Sequence, residues 1–324
     1  MKFSISIPAY KSQYLHEAIE SVLHQSYHDW ELVVVDDCSP ENLKSIVTPY
    51  LYDCRVHYYR NNKNCGAVDV VDNWNICLNY CTGDYVICMG DDDRLLPCCL
   101  EEYRQLIERH PDLNVYHTRT EIIDEKGLVR DCQEGRPEWE SVISLIWNRW
   151  AIRNKQYIGD FCYSLSYLKT VGGYYKQPLA WGSDDITAVL AAKKKGIANT
   201  KTFGFQYREN SLTISSSTSN AILKMQTTLS QYEWFSCFLK DVAQEGLSSS
   251  DYQYINTIEK VKFDYYRKSL GKNCIDYMQG NLSKLPLCYR ILKPLHFPIA
   301  FFLRCYVSSI YHLLKRRNTS HTDK

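Results

Sequence analysis

The chain has 324 residues, of which 45% are hydrophobic and 23% charged, and its formal net charge is +1. This composition excludes a disordered chain, and the near-zero charge excludes a strongly basic nucleic-acid surface. Fourteen cysteines are present, but the sequence has no CxxC pair and no N-terminal secretory signal. We therefore interpret them as reduced, mostly buried thiols of a cytoplasmic protein.

Strand-like and helix-like segments alternate over the first hundred residues. Apolar runs predict strands at residues 3–8, 30–35, 56–59 and 85–89. Apolar residues at helical spacing, or turn residues that open a helix, predict helices at 14–25, 41–49, 70–81 and 98–109. Such short alternation is typical of an α/β protein with a doubly wound sheet covered on both faces.

Beyond residue 110 the regular alternation of strands and helices ends. Residues 114–120 and 121–124 predict two strands, and 138–154 predict an amphipathic helix. Residues 223–278 have a helical pattern without strands. A serine-rich stretch at 215–219 resembles a linker, so we predict one domain at 1–215 and a helical region at 216–324.

The last apolar segment, 297–314, is followed by Lys315, Arg316 and Arg317. Arg304 and His312 interrupt it, and it is short for a membrane span. We expect an interfacial helix near 297–317 on a membrane surface. A docking helix within the protein and a true span are the alternatives.

Three aspartates, Asp91, Asp92 and Asp93, follow the predicted strand 85–89. Adjacent carboxylates raise one another's pKa unless a cation or hydrogen-bond donors hold their charge. Ligands of open α/β sheets bind at the carboxyl ends of strands, and carboxylates suit Mg²⁺ or Mn²⁺. The triplet therefore predicts a divalent-cation site, with an acidic surface turn as the alternative.

Two more segments would face the same cleft. Asp36 and Asp37 follow the strand 30–35, and residues 6–11 follow the first strand. A cation held there would bridge a diphosphate and neutralise a leaving nucleotide. The alternative for Asp36 and Asp37 is a helix N-cap, since aspartate favours that position.

The ordered motifs SISIPAY, SVLHQSYHDWELVVVDDCS, NNKNCGA and NWNICLNYCTGDYVICMGDDDRLLP resemble the catalytic domain of glycosyltransferase family two. The resemblance covers residues 2–135 and resumes at 171–196. It implies a GT-A fold, which is a Rossmann-like, doubly wound mixed sheet, here with a mainly helical C-terminal region. It also implies inverting transfer of a sugar from a nucleoside diphosphate sugar.

The resemblance implies a set of binding residues. Those for the nucleotide are Pro8, Ala9, Tyr10, Asp36, Asp37, Asn64 and Gly66, with Asp37 on the base. The metal-binding DxD motif falls on the triplet, where Asp92 is the best direct ligand. Asp91 and Asp93 remain for the ribose, the donor sugar or a shared metal contact.

The resemblance also implies catalytic residues. Asp185 aligns with the general base and Asp184 with its acidic neighbour, after the pair Gly172 and Gly173; a helix N-cap at Asp184 is the alternative. Arg208 belongs to a segment, 207–213, that closes over the diphosphate and would stabilise leaving-group charge. Its alternative is a surface arginine.

Two departures from the family pattern stand out. Trp74 occupies the place before Asn75 where many relatives carry arginine, so Lys63 or Arg94 would have to contact the diphosphate. The spaced DxDD of the family becomes Gly90 followed by three aspartates. Spacing therefore does not decide which two of them bind metal.

The sequence predicts a metal-dependent glycosyltransferase of bacterial surface polysaccharide synthesis, with a saccharide or lipid-linked saccharide as acceptor. It would be cytoplasmic or peripheral on the inner face of the plasma membrane. Two alternatives are a non-catalytic nucleotide-sugar or partner-binding module on this fold and a nucleotide-sugar pyrophosphorylase. The stretch SIPAYKSQY lacks the glycine-rich phosphate loop expected of the latter.

Overall fold

A mixed sheet forms the centre of the N-terminal part of the protein. The computed structural model describes residues 1–151, 155–210 and 218–322, with side chains to residue 315. The chain divides into two units, Met1–Thr213 and Ile214–Lys324. Within the described residues the strands are β1 (Phe3–Ala9), β2 (Trp30–Asp36), β3 (Val56–Arg60), β4 (Tyr85–Cys88), β5 (Arg94–Leu95), β6 (Val115–Ile123), β7 (Val129–Cys132), β8 (Trp139–Glu140), β9 (Phe161–Ser164) and β10 (Ile197–Arg208).

The order of the strands is β3-β2-β1-β4-β9-β6-β10-β5, with β7 beside β6 and β8 beside β10. β1 to β4 run parallel to their neighbours in this set. β9 is antiparallel to both β4 and β6, whereas β10 is parallel to β6. The predicted α/β class with a mixed sheet is therefore confirmed. Every residue of β2 is buried, as expected for a parallel strand covered on both faces.

The helices of the first unit are α1 (Leu15–Leu23), α2 (Leu43–Val47), α3 (Val70–Tyr80), α4 (Cys99–Arg109), α5 (Val142–Ala151), α6 (Leu165–Thr170) and α7 (Ser183–Ala192). The helices predicted at 14–25, 70–81 and 98–109 end within two residues of α1, α3 and α4. Their apolar spacing is regular because one stripe of each helix packs on the sheet.

The structure differs from the predicted secondary structure in several places. The helix predicted at 138–154 begins only at Val142, because β8 pairs with β10 before it; residues 152–154 lie outside the described residues. The two strands predicted at 114–124 are one strand, β6. β9 and β10 were not predicted. Register shifts interrupt the pairing of β10 with β6, so buried and exposed residues do not alternate regularly along β10.

The second unit is helical, as predicted. Its helices are α8 (Ala221–Glu245), α9 (Tyr252–Met278), α10 (Leu285–Leu292) and α11 (Ile299–Thr322). Its core contains three free thiols, one from each of the last three helices, together with apolar side chains; these residues include Met225, Leu270, Cys274, Met278, Cys288, Leu292, Phe302 and Cys305. Within the described part of the chain, no helix is long and apolar enough to cross a bilayer.

Glu31 is a charged side chain inside the sheet, only 3% exposed. Its carboxylate accepts hydrogen bonds from Lys2 Nζ at 2.6 Å, Ser4 Oγ at 2.6 Å and the backbone N of Thr82 at 2.6 Å. Burial by itself raises the pKa of this carboxyl, but the hydrogen bonds outweigh it and lower the pKa of Glu31 to about 2. The ionised carboxylate thus joins β1, β2 and the turn before β4.

Replacing Glu31 by Gln is expected to lower the free energy of unfolding by about 3 kcal/mol near neutral pH, because buried donors lose a charged acceptor. The folded-state pKa lies below the unfolded value of 4.5, so the wild type loses this stabilisation as the pH falls from about 4.5 towards 2. Urea unfolding at neutral and acid pH measures both effects.

Glu101→Gln is the matched control. The Glu101 side chain is 33% exposed and pairs with Arg104 on the surface of α4, so we expect a cost below about 1 kcal/mol. A stability difference between wild type and Glu31→Gln that does not shrink in acid would contradict the assignment.

Candidate active site

The carboxyl ends of β1, β2 and β4 meet at one edge of the sheet. Ala9 is the register partner of Asp36 at the ends of β1 and β2. Beyond β4, Asp91 Oδ2 accepts hydrogen bonds from the backbone N of Tyr10 and of Lys11, both at 2.7 Å. The segments that the sequence placed in one cleft are therefore in direct contact.

The residues expected to line a base pocket differ in exposure. Ala9 is buried within β1, Pro8 is half-buried, and Tyr10 is 43% exposed just beyond the strand. The carbonyl of Tyr10 accepts a hydrogen bond from Ser39 Oγ at 2.6 Å. The backbone here is fixed, while the Tyr10 ring remains available to a ligand.

Asp36 is wholly buried and its carboxylate is engaged within the protein. Oδ1 accepts from the backbone N of Ser39 at 2.8 Å, and Oδ2 accepts from Tyr58 Oη at 2.6 Å and from Arg60 Nη1. The role in nucleotide binding that the resemblance gave it stays a prediction. Its contacts show a carboxylate that holds the turn after β2 against β3.

Asp37 is 6% exposed and organises the loop that follows β3. Its Oδ1 accepts from Asn61 Nδ2 at 2.8 Å and from the backbone N of Cys65 at 3.0 Å, and its carbonyl accepts from Asn64 Nδ2 at 2.8 Å. Gly66 follows with φ of +79°, which glycine adopts at little cost. Asn64 is thus tied to Asp37, two residues before Gly66, and the nucleotide-binding role of the three residues stays a prediction.

The three aspartates after β4 point to different partners. Asp91 binds the backbone after β1, as described above. Asp93 Oδ1 accepts from the backbone N of Arg208 at 2.9 Å, at the end of β10. Both side chains are nearly buried, whereas Asp92 is half-buried and its Oδ2 accepts from Asn210 Nδ2 at 2.8 Å. Asp92 is therefore the member of the triplet most open to a ligand.

The triplet carries a concentrated negative charge. Burial, and then the neighbouring Asp92, raise the pKa of Asp91 to about 6 and the pKa of Asp93 well above its usual range. Gly90 lets the carboxylates lie close to the backbone, since a Cβ there would come within 2.7 Å of Asp93 Oδ2 and 3.0 Å of Asp92 Oδ1. A cation beside Asp92 would relieve the repulsion.

Arg208 is 1% exposed, so the alternative of a surface arginine is wrong. Its Nη2 donates to Glu17 Oε2 at 2.6 Å and its Nε to the carbonyl of Asp92 at 2.8 Å, and the guanidinium lies over the ring of Tyr14. Arg94 also donates to Glu17, at 3.3 Å. Arg208 is thus tied to the backbone of the acidic turn, whereas Arg94 is half-buried and shares its carboxylate partner.

Asp184 and Asp185 lie in the first turn of α7. The helix is capped by Gly182 in the left-handed conformation and not by Asp184, so the N-cap alternative is wrong. Asp184 Oδ1 accepts from the backbone N of Asp185 at 2.9 Å. Burial, followed by the charge of Asp185, raises the pKa of Asp184, while Arg149 lowers it.

Arg149 and Gln156 hold Asp185, and the sequence gave no signal for either. Arg149 Nε donates to Asp185 Oδ1 at 2.9 Å, with both side chains less than one-fifth exposed. With the Gln156 amide oriented to satisfy its neighbours, its N donates to the same oxygen at 2.6 Å and its O accepts from Arg136 Nη1 at 3.0 Å. These contacts fix the orientation of the Asp185 carboxylate, and a general base must be positioned within reach of the proton that it takes.

The glycine pair before α7 is held by Asn75. Asn75 Oδ1 accepts from the backbone N of Tyr174 at 2.7 Å, and Gly173 has φ of +100° beside the same side chain. Trp74 packs edge-on against the ring of Tyr174, with centroids 5.9 Å apart, and is buried. The residue that replaces the family arginine is therefore a core residue, and Lys63 stays exposed.

The fold is that of the GT-A glycosyltransferases. Over 98% of this chain and 92% of the other, it matches the crystal structure of S. aureus TarS 1-349 in complex with UDP-GlcNAc, with a TM-score of 0.60 and 16% identity. Residues 4–164 match the sequence model of Glycosyl transferase family 2. The chain belongs to this family.

Relatives with similar sequences carry related names. The putative glycosyltransferase EpsE of Bacillus subtilis is 36% identical over 118 residues, which are 35% of this chain and 41% of EpsE. The putative colanic acid biosynthesis glycosyl transferase WcaA of Escherichia coli is 40% identical over 97 residues, which are 29% of this chain and 33% of WcaA. The match thus spans well under half of the length of these relatives.

Alanine at the two glycines tests how the turn before α7 is built. Gly172→Ala adds a Cβ in open space at φ of +87°, and we expect a cost of about 1 kcal/mol. Gly173→Ala would in addition overlap the side chain of Asn75, so we expect about 3 kcal/mol. Urea unfolding of the two variants compares them directly, and equal costs would refute the Asn75 contact.

Proposed function

We propose that this protein is an inverting glycosyltransferase that moves a sugar from a nucleoside diphosphate sugar to an acceptor hydroxyl, with a divalent cation as cofactor. The observation that carries the proposal is that the three adjacent aspartates, Asp91, Asp92 and Asp93, turn to different partners. Asp91 and Asp93 are tied to β1 and β10, and Asp92 is left half-exposed at the strand edge. A ligand at this edge would contact the carboxylate of Asp92, while those of Asp91 and Asp93 lie nearly buried beside it.

The residues present fit Mn²⁺ or Mg²⁺. Asp92 offers hard oxygen atoms, and the absent Cβ of Gly90 leaves room beside them. Among the described residues, no three His, Cys, Asp or Glu side chains could hold a metal by themselves. A divalent cation here would take one or two carboxylates and complete its shell with phosphate oxygens and water. When bound, the cation would neutralise charge on the diphosphate leaving group.

The nucleotide would lie between β1 and the loop after β3. Asp37 holds this loop through Asn61 and Cys65, which fixes the position of Asn64 and Gly66. Tyr10 would contribute its exposed ring, and the backbone after β1 is already fixed by Asp91. This part of the site is rigid before a ligand arrives, which lowers the entropic cost of binding.

Asp185 would act as the general base that takes the proton from the acceptor hydroxyl as its oxygen attacks the anomeric carbon. Arg149 and Gln156 would orient its carboxylate towards the acceptor. Asp184, with its raised pKa, holds a proton more readily than an ordinary aspartate. Attack from the face opposite the diphosphate would invert the anomeric configuration.

Arg208 would act as a positioning residue. Its contacts with Asp92, Asp93 and Glu17 fix the acidic turn, and its buried guanidinium supplies positive charge behind the triplet. The sequence prediction of direct diphosphate contact remains open to test.

The acceptor would be a saccharide or a lipid-linked saccharide in bacterial surface polysaccharide synthesis. Two names support this. WcaA carries colanic acid biosynthesis in its name, and a B. subtilis relative, TuaG, carries teichuronic acid biosynthesis. A UDP-sugar is the first donor to test, because the TarS structure was solved with UDP-GlcNAc.

Asp92→Asn tests the cation site. We expect the variant to lose the Mn²⁺-dependent part of its affinity for UDP, a weakening of about tenfold or more, because an amide is a poor ligand for a hard cation. Calorimetry of UDP with and without Mn²⁺ measures it. Asp112→Asn, at an exposed position in the turn after α4, should bind like the wild type. If the wild type bound UDP with the same affinity with and without Mn²⁺, the proposed metal site would be refuted.

Asp185→Asn tests the base. We expect the turnover number to fall by about 10²–10⁴, the usual worth of general base catalysis, while donor affinity stays unchanged. An assay of transfer to a saccharide acceptor measures the turnover number, and a separate binding experiment measures the affinity for the donor. If Asp184→Asn abolished transfer and Asp185→Asn did not, the assignment of the base would be overturned.

A further inference from the structure

The C-terminal helix α11 has two apolar sides. One side, with Phe302, Cys305 and Ser309, is buried in the helical unit. The other side is exposed to solvent and consists of Ile299, Leu303, Val307, Tyr311 and Leu314, each 47–64% exposed. The first four recur every fourth residue, and Leu314 falls on the same side, so the five form one strip along the helix. We call this set the outer stripe.

The outer stripe is unusual for a protein surface. Exposed apolar residues are normally scattered singly, and a contiguous strip marks an interaction site. Here five large apolar side chains lie within 16 residues of one helix. An apolar environment outside the helix would therefore stabilise the stripe.

A basic groove of about 730 Å³ lies beside the stripe, between α9 and α11. Arg267, Lys268 and Lys272 line it from α9, and Arg304 lines it from α11. Asp276 is the acidic residue of the lining. Within the part of the chain that is described, none of the four cations forms an ion pair with a carboxylate.

The groove and the stripe adjoin along the length of α11. Arg304, Ser308 and His312 line the groove, and each follows a stripe residue in sequence. Consecutive residues of a helix are about 100° apart around its axis. The groove therefore lies on the side of α11 that neighbours the outer stripe, roughly a quarter of a turn around the helix axis.

We infer that the second unit docks on a bilayer surface that contains anionic phospholipids. The outer stripe would enter the boundary between headgroups and acyl chains, as the apolar face of an interfacial helix does. The groove would receive lipid phosphate groups, which its unpaired cations attract. This inference goes beyond the proposed transfer reaction and does not depend on it.

Charge favours an anionic membrane over a second copy of the chain. Residues 281–324 carry eight Lys or Arg and one Asp, a balance of +7, although the whole chain has only +1. A second copy would bring an equally basic helix against the first, and like charges at short range repel. An anionic lipid surface offers an apolar layer to the outer stripe and phosphate groups to the cations of the groove.

Sedimentation of the full chain with vesicles tests the inference. We expect binding to phosphatidylcholine vesicles that contain phosphatidylglycerol to be about tenfold tighter, or more, than binding to phosphatidylcholine alone. Leu303→Glu combined with Val307→Glu should weaken binding to the anionic vesicles about tenfold or more. Lys268→Gln combined with Lys272→Gln should reduce mainly the preference for anionic lipid.

Leu51→Glu combined with Tyr52→Glu is the matched control, because these apolar residues of the first unit are 41% and 85% exposed. It should sediment like the wild type. The inference is overturned if wild type stays in the supernatant with anionic vesicles, or if stripe and control variants bind alike. Light scattering without lipid that shows a dimer, dissociated by the stripe substitutions, would overturn it in favour of a second copy.

Discussion

The carboxylate of Asp91 joins the ends of two neighbouring strands, and the geometry of the site depends on it. It accepts two backbone hydrogen bonds from the residues that follow β1, both at 2.7 Å. Burial raises the pKa of this carboxyl to about 6, so the contact is strongest when a nearby positive charge keeps it ionised. The turn that carries Asp92 is thereby fixed to the segment proposed to bind the base, so the proposed nucleotide and cation sites would share one edge of the sheet.

The second constraint is the balance of charge behind this edge. Three adjacent aspartates in a nearly buried turn repel one another. Arg208 lies directly behind them, held by Glu17 and donating to the carbonyl of Asp92. Its positive charge offsets part of the repulsion from inside the protein, and a divalent cation would offset the rest from outside. The buried guanidinium of Arg208, paired with the partly exposed Glu17, and the proposed cation would thus both offset the charge of this turn.

The sequence predicted the parts of the site that depend on adjacency along the chain. Asp36, Asp37 and the triplet directly follow apolar runs that could only be buried strands, so their common edge could be predicted. It could not predict which aspartate stays exposed, because Asp91 and Asp93 obtain their partners from residues some 80 and 115 positions away. Arg149 and Gln156 were missed for the same reason: they approach Asp185 only through folding. The start of the helix predicted at 138–154 was wrong because pairing with the distant β10 makes residues 139–140 a strand.

The central claim is that Asp92 holds a divalent cation on a nucleoside diphosphate at this strand edge. The most direct measurement is a crystal structure of the protein with UDP and Mn²⁺, in which anomalous scattering locates the metal. We expect Mn²⁺ bound directly to the carboxylate of Asp92 and to the diphosphate, with the base beside Asp37. Mn²⁺ bound elsewhere, or UDP bound away from the ends of β1 and β2, would contradict it.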